Sequence, residues 1–165
     1  MNRLLGRDQY DWAGWIISTL VIWMIACLWT SVVHAGEVPT GDLEVVYQTI
    51  AMESASEPEG MKYVALTLIN RARKRGTTPE IEAKRPWQYS CFNDPGWAKR
   101  WIRAFYTPKT RHKALIAWGE ALKLSLKPEL QGIRHYHRFD VHPSWANGHT
   151  PAFRSGSHLF YRGIN

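Results

Sequence analysis

The sequence predicts a mainly helical α+β domain carried behind one apolar N-terminal span, and three observations predict it. From Trp12 to Val33 no residue is charged. Apolar side chains then recur at helical spacing from Leu43 to Ala72 and again from Thr110 to Leu126. Beyond Pro128 the aromatic residues are scattered among His, Gly and Pro, which suits a few short strands and ordered loops. A chain of 165 residues accommodates one such domain and a short appendage.

The appendage comes first. As a helix, the uncharged run would reach about 33 Å, enough for a hydrocarbon core of about 30 Å. Trp12, Trp15 and Trp29 lie toward its ends, where interfacial aromatics belong. Arg3 and Arg7 precede it and no Lys or Arg follows until Lys62, so the N-terminus is expected in the cytoplasm and the domain outside. The expected organisation is a cytoplasmic tail at 1–11, a transmembrane signal-anchor at 12–34, a linker at 35–41 and the domain at 42–165. Val33-His34-Ala35 is also similar to a signal-peptidase site, and cleavage after Ala35 would release the domain. Cys27 falls in the apolar run and Cys91 in the domain, so neither a disulfide framework nor cysteine metal ligation is expected. A net charge of +7 suits an anionic partner. An exported domain meets wall polymers first, so nucleic acid is not expected.

Within the domain, Asp42 is placed to cap a helix whose apolar face is Leu43, Val46, Tyr47 and Ile50, with Glu53 at its end. Pro58 suits the first turn of a second helix, with Met61, Val64, Ala65, Leu68 and Ala72 on its stripe. Arg71, Arg73, Lys74 and Arg75 crowd its last turn, where cations complement the helix dipole, and Gly76 stops it. Residues 77–87 read as loop with a short helical turn, and 97–105 as a short helix. A longer helix over 110–126 is expected to share Leu115, Trp118, Ala121 and Leu122 on one face.

Glu53 is the first candidate for chemistry. A carboxyl held against apolar neighbours resists ionisation and can act as an acid near neutrality, and Tyr47, Ile50 and Met52 are the local residues that could wall it. A glutamate at a helix end is otherwise a solvated surface group. His135 and His137 fall on one face of a strand, but no carboxylate or cysteine has ligand spacing beside them, so no metal and no other cofactor is expected. Neither Gly-x-Ser-x-Gly nor a phosphate-binding loop occurs. Trp87, Trp97, Trp101 and Trp145 include candidates for stacking on sugar faces.

Three ordered blocks add a resemblance. The first is Ile50-Ala51-Met52-Glu53, Glu57-Pro58-Glu59-Gly60-Met61, Val64-Ala65 and Leu68-Ile69-Asn70-Arg71. The second is Gln88-Tyr89-Ser90-Cys91-Phe92-Asn93-Asp94. The third is His135-Tyr136-His137, Val141-His142-Pro143-Ser144-Trp145 and Gly156-Ser157-His158-Leu159-Phe160-Tyr161. Together they resemble the SleB-type cell wall hydrolases, the family of the spore-cortex-lytic enzymes, over about residues 45–162. The resemblance implies a lysozyme-like fold and cleavage of peptidoglycan between N-acetylmuramic acid and N-acetylglucosamine by a lytic transglycosylase. It places the catalytic acid at Glu53. Ser90 and Asn93 are candidates to hydrogen-bond N-acetyl groups or to stabilise their own turn, and Tyr136 and His158 fall in these blocks to line the sugar cleft or pack the closing strands. The chain departs from the family between Glu57 and Gly60, which looks one residue short, and Ser54-Ala55-Ser56 replaces a common Ala-Arg-Gly. Glu57 is therefore the fallback acid.

A transglycosylase needs one carboxyl, whereas two-carboxylate glycosidases need a partner at about 5–9.5 Å. Asp94 and Glu57 are the possible second carboxylates for a hydrolytic muramidase. The competing class is a catalytically silent module that binds peptidoglycan and anchors an envelope complex. A nucleic-acid-binding envelope protein would use the basic surface without needing Glu53.

Overall fold

A computed structural model describes residues 42–54, 57–86, 88–89 and 92–164, and for Pro95, Trp97 and Ala98 it describes the backbone. The chain divides into Met1–Glu37 and Val38–Asn165, and every described residue belongs to the second unit. The expected anchor at 12–34 and linker at 35–41 lie outside the described residues, as do Trp87, Ser90 and Cys91. No helix among the described residues is long and apolar enough to cross a membrane.

The domain is α+β and mainly helical. Its helices are α1 (Leu43–Ser54), α2 (Pro58–Arg75), α3 (Pro79–Ala83), α4 (Pro95–Phe105) and α5 (Pro108–Leu124). A three-stranded antiparallel sheet follows, with β1 (Ile133–Arg138), β2 (Phe153–Ser155) and β3 (His158–Arg162) in the order β1-β3-β2.

Local chemistry explains the boundaries. The Asp42 carboxylate accepts the Glu44 N–H at 3.0 Å, capping α1. Helices α2 to α5 each open on a proline, whose missing N–H costs nothing in a first turn. Thr107 and Thr110 form a reciprocal capping box at the start of α5. Gly76 ends α2 at φ 63°, a left-handed conformation in which glycine has no side-chain penalty.

Helix α2 is the spine. Met61, Val64, Leu66, Leu68 and Ile69 are fully buried and point to different sides, because α1, α5 and β1 all pack on it. The expected stripe of α2 is buried as read, but the helix is enclosed beyond that stripe. The face of α5 turned inward is Ala114, Ala117, Trp118 and Ala121. Leu115, expected on it, is 42% exposed. The bulk of α2 explains the difference: alanines let the two backbones approach closely, and Leu115 falls outside the seam.

Polar side chains tie the layers together. Asn70 on α2 donates from Nδ2 to the carbonyls of Leu130 and Ile133, each at 2.8 Å, fixing the entry to β1. Arg73 donates to the Ser125 carbonyl at 3.0 Å, holding the end of α5. Glu82 on α3 is completely buried and accepts from Arg85 at 2.9 Å, from Thr77 at 3.0 Å and from Arg75. Burial alone would raise its pKa, but these three donors outweigh that and hold it below the usual carboxylate range.

Candidate functional site

Glu53 stands in the last turn of α1, where two recesses meet. Both share the walls Met52, Arg138 and His158. The first, of about 330 Å³, adds Glu57 and Ser157 on one side and the aromatic pair Trp101 and Phe105 of α4 on the other. The second, of about 610 Å³, adds Arg71, Gln88, Asn93 and Tyr136. Each is within the size range of small-ligand sites. Glu53 thus has an aromatic shelf to one side and a polar trough to the other.

The walls differ from the sequence expectation. Of the three residues thought to enclose Glu53, only Met52 lines the recesses. Ile50 is fully buried in the core, and the buried Tyr47 ring lies 5.8 Å from the Arg111 guanidinium. The helix period explains this: residues 46, 47 and 50 face α2 and α5, so Glu53 projects past the end of the packed stripe. Its aromatic surroundings come instead from α4, about fifty positions later. The Trp101 and Phe105 rings stack with centroids 4.5 Å apart and an interplanar angle of 18°. They are 37% and 43% exposed, an unusual placement for two stacked aromatics unless something covers them.

Tyr136, on β1, donates its hydroxyl to Glu53 Oε2 at 3.1 Å. Burial first, and then the neighbouring Glu53, push the phenol well above its ordinary pKa, so it stays a neutral donor. His158 and Phe160 of β3 hold its ring in place, with centroids at 5.4 and 5.7 Å. His158 is itself buried, and burial lowers its pKa. It therefore presents a neutral imidazole to both recesses near neutral pH.

Glu57 does not suit the role of fallback acid. Its Oε2 accepts the Ser157 N–H and lies 4.0 Å from His158 Nδ1. The Ser157 hydrogen bond holds Glu57 below the usual carboxylate range, so it is ionised across the neutral range. The turn that delivers this N–H passes so close that a Cβ on Gly156 would run into the Glu57 carboxylate. Gly156 also sits at φ 56°, so both space and backbone call for glycine.

The other expected residues divide. Asn93 is exposed and lines the polar trough, and Tyr136 and His158 are on the site as described. Ser90 lies outside the described residues. Asp94 is exposed and accepts the Gly96 N–H at 2.8 Å, closing its own turn, and it is absent from the walls of both recesses. His135 and His137 do share a face, each packing against Trp145 with ring centroids at 5.5 and 5.4 Å. Both ring nitrogens of His137 are engaged, Nδ1 with the Arg138 carbonyl at 2.7 Å and Nε2 with the Tyr161 hydroxyl at 2.8 Å. Among the described residues, no group of three or more His, Cys, Asp or Glu could hold a metal ion. Trp145 is committed to this ring cluster with Tyr161, 5.4 Å away, and is not a shelf in the cleft.

Sequence reading missed Arg71. It was grouped with the cations at the end of α2, yet it is only 8% exposed, and its Nε donates to the Arg134 carbonyl. Its guanidinium lies 5.4 Å from the centre of the Tyr89 ring. The available signal was position: Arg71 follows Leu68 by three residues and so continues the inward stripe.

No family model, curated protein or solved structure matches this chain.

Proposed function

We propose that the domain degrades peptidoglycan as a lytic transglycosylase with a lysozyme-like fold, cleaving between N-acetylmuramic acid and N-acetylglucosamine. One observation carries the reading. A glutamate at the junction of two recesses receives a hydrogen bond from a half-buried tyrosine, while Glu57, the candidate partner acid that shares one recess with it, is committed to Ser157. The resemblance to the SleB-type hydrolases supports the same assignment.

In this mechanism, protonated Glu53 gives its proton to the bridging oxygen as the bond to C1 of the muramic sugar breaks. The resulting carboxylate accepts the proton of that sugar's C6 hydroxyl, whose oxygen closes onto C1. The product is a 1,6-anhydro ring, no water is consumed, and Glu53 ends as it began. The Tyr136 hydroxyl stabilises the carboxylate between the two transfers. Asn93 and Gln88 supply amide groups for N-acetyl substituents in the trough. The Trp101–Phe105 shelf takes a sugar face on the other side. The apolar run at 12–34 tethers the domain to the outer face of the cytoplasmic membrane, where its glycan substrate lies.

A hydrolytic muramidase is the second reading, and Glu57 favours it. An ionised carboxylate in the same recess is the kind of group that could activate water. The test is mass spectrometry of peptidoglycan digested by the full-length chain in non-ionic detergent, beside Glu53→Gln. Anhydromuramic ends that disappear with the substitution are expected. Reducing muramic ends would shift the assignment to hydrolysis with Glu57. Binding without cleavage would leave a silent anchoring module.

A further inference from the structure

Arg71 also lines a separate recess of about 150 Å³. Its walls are Arg71, Lys74, Arg75, Arg134, His135 and Ile164. We propose that it is a binding site for a phosphate group.

Charge is the first argument. Five of the six wall residues are basic and, among the described residues, no carboxylate lines the recess. Arg75 shares its charge with Glu82, whereas Arg71 donates to the Arg134 carbonyl and lies over the Tyr89 ring, neither of which neutralises it. Like charges gathered in one concavity raise its potential and draw a counter-ion.

Unused polar atoms are the second and independent argument. Arg71 is more than nine-tenths buried, yet its Nη1 has no hydrogen-bond partner, and the Tyr89 hydroxyl beside it lacks hydrogen-bonding geometry. The Nδ1 of His135 is likewise buried without a partner. A buried guanidinium nitrogen without an acceptor is costly, and it leaves the Arg71 charge incompletely compensated within the fold, where it adds to the positive potential of the recess. Burial, and then the surrounding arginines, lower the pKa of His135 to about 4. It is therefore neutral at pH 7 and leaves the positive charge of the recess to Arg71, Lys74, Arg75 and Arg134.

Size and geometry select the ligand class. The recess is smaller than a drug-sized pocket, so it suits a single compact group. Its donors arrive from two elements, the last turns of α2 and the start of β1. A tetrahedral phosphate accepts from several directions at once, whereas a planar carboxylate favours one fork. The phosphate could belong to free phosphate or to a diester such as a phospholipid headgroup.

Calorimetric titration of the full-length chain in non-ionic detergent, at constant ionic strength, tests this. Inorganic phosphate and glycerophosphoglycerol serve as separate probes. Saturable 1:1 binding of at least one probe is expected, about tenfold weaker in both Arg134→Gln and Lys74→Gln. These exposed or half-exposed side chains are chosen so that folding, checked by thermal melting, is retained. Tighter binding of the diester would assign the site to a headgroup, and tighter binding of inorganic phosphate to a free ion. Absence of saturable binding, or equal binding by wild type and both variants, would overturn the proposal. Peptidoglycan cleavage does not enter this readout, so the site stands or falls separately from the proposed enzyme.

Discussion

Two glutamates in this domain have opposite surroundings. Glu82 is completely buried and held by three donors, and its position is decided by α3 and the two arginines around it. Glu53 lies at the junction of two open recesses, with a tyrosine hydroxyl set on one of its oxygens. A carboxylate whose lone pairs are saturated can fix a fold but cannot exchange a proton with a ligand. A carboxylate with access to ligand can do so, and contributes correspondingly less to stability.

Exchanging each for a neutral residue should separate the two roles. On the function proposed, Glu53→Gln is expected to reduce peptidoglycan cleavage by about a thousandfold, in the range of general acid catalysis, while the melting temperature stays near that of wild type. A retained rate would remove Glu53 from the chemistry. Glu82→Ala should behave inversely, costing about 2–3 kcal/mol in denaturant unfolding. That figure lies below the cost of breaking a fully buried ion pair, because Arg75 and Arg85 keep contact with water. Cleavage per folded molecule should be unchanged.

Tyr136→Phe sharpens the contrast at the site itself. Loss of one hydroxyl donor is expected to lower the cleavage rate about tenfold, equivalent to about 1.4 kcal/mol, with little change in substrate binding. An unaltered rate would reduce Tyr136 to a packing residue.

The smallest expected effect concerns pH. His135 has a folded pKa of about 4 against an ordinary value of 6.5, and His158 is lowered in the same direction. Below pH 6.5 the unfolded chain takes up protons that the folded chain refuses until about pH 4. Stability should therefore be complete above 6.5 and fall as pH drops through that window. After allowance for solvent screening, His135 should account for about 1 kcal/mol of the loss. His135→Gln should flatten the slope, measured as unfolding midpoints across pH 4–8.

Much of the fold was legible because its signals are local. Asp42, Pro58 and Gly76 mark helix ends through capping and backbone preference, and the structure places those ends there. The short strands after Pro128 could be read from aromatic residues interspersed with turn formers. The misplacement of Leu115 shows the limit of periodicity. Which of two adjacent apolar positions turns inward depends on the bulk of α2, which α5 alone does not reveal. The candidate site was legible only in part. Glu53, Asn93, Tyr136 and His158 came from ordered blocks, whereas the surroundings of Glu53 depend on α4, and the burial of Arg71 on where β1 docks. The ionised state of Glu57 rests on an N–H a hundred residues away, which no local pattern could supply.

Asn70 carries a consequence for how the domain assembles. Its amide reaches two carbonyls that flank the entry to β1, about sixty residues further along the chain. Closing so long a loop has an entropic cost before its bonds form, so α1 and α2 are expected to pair early and the sheet to dock late. Stopped-flow refolding should show helical circular dichroism ahead of protection of the β1 and β3 amides from hydrogen exchange. Tyr136 reaches Glu53 only through β1, so the cleft would be completed in the same late step, and a partly folded chain would hold Glu53 without its tyrosine.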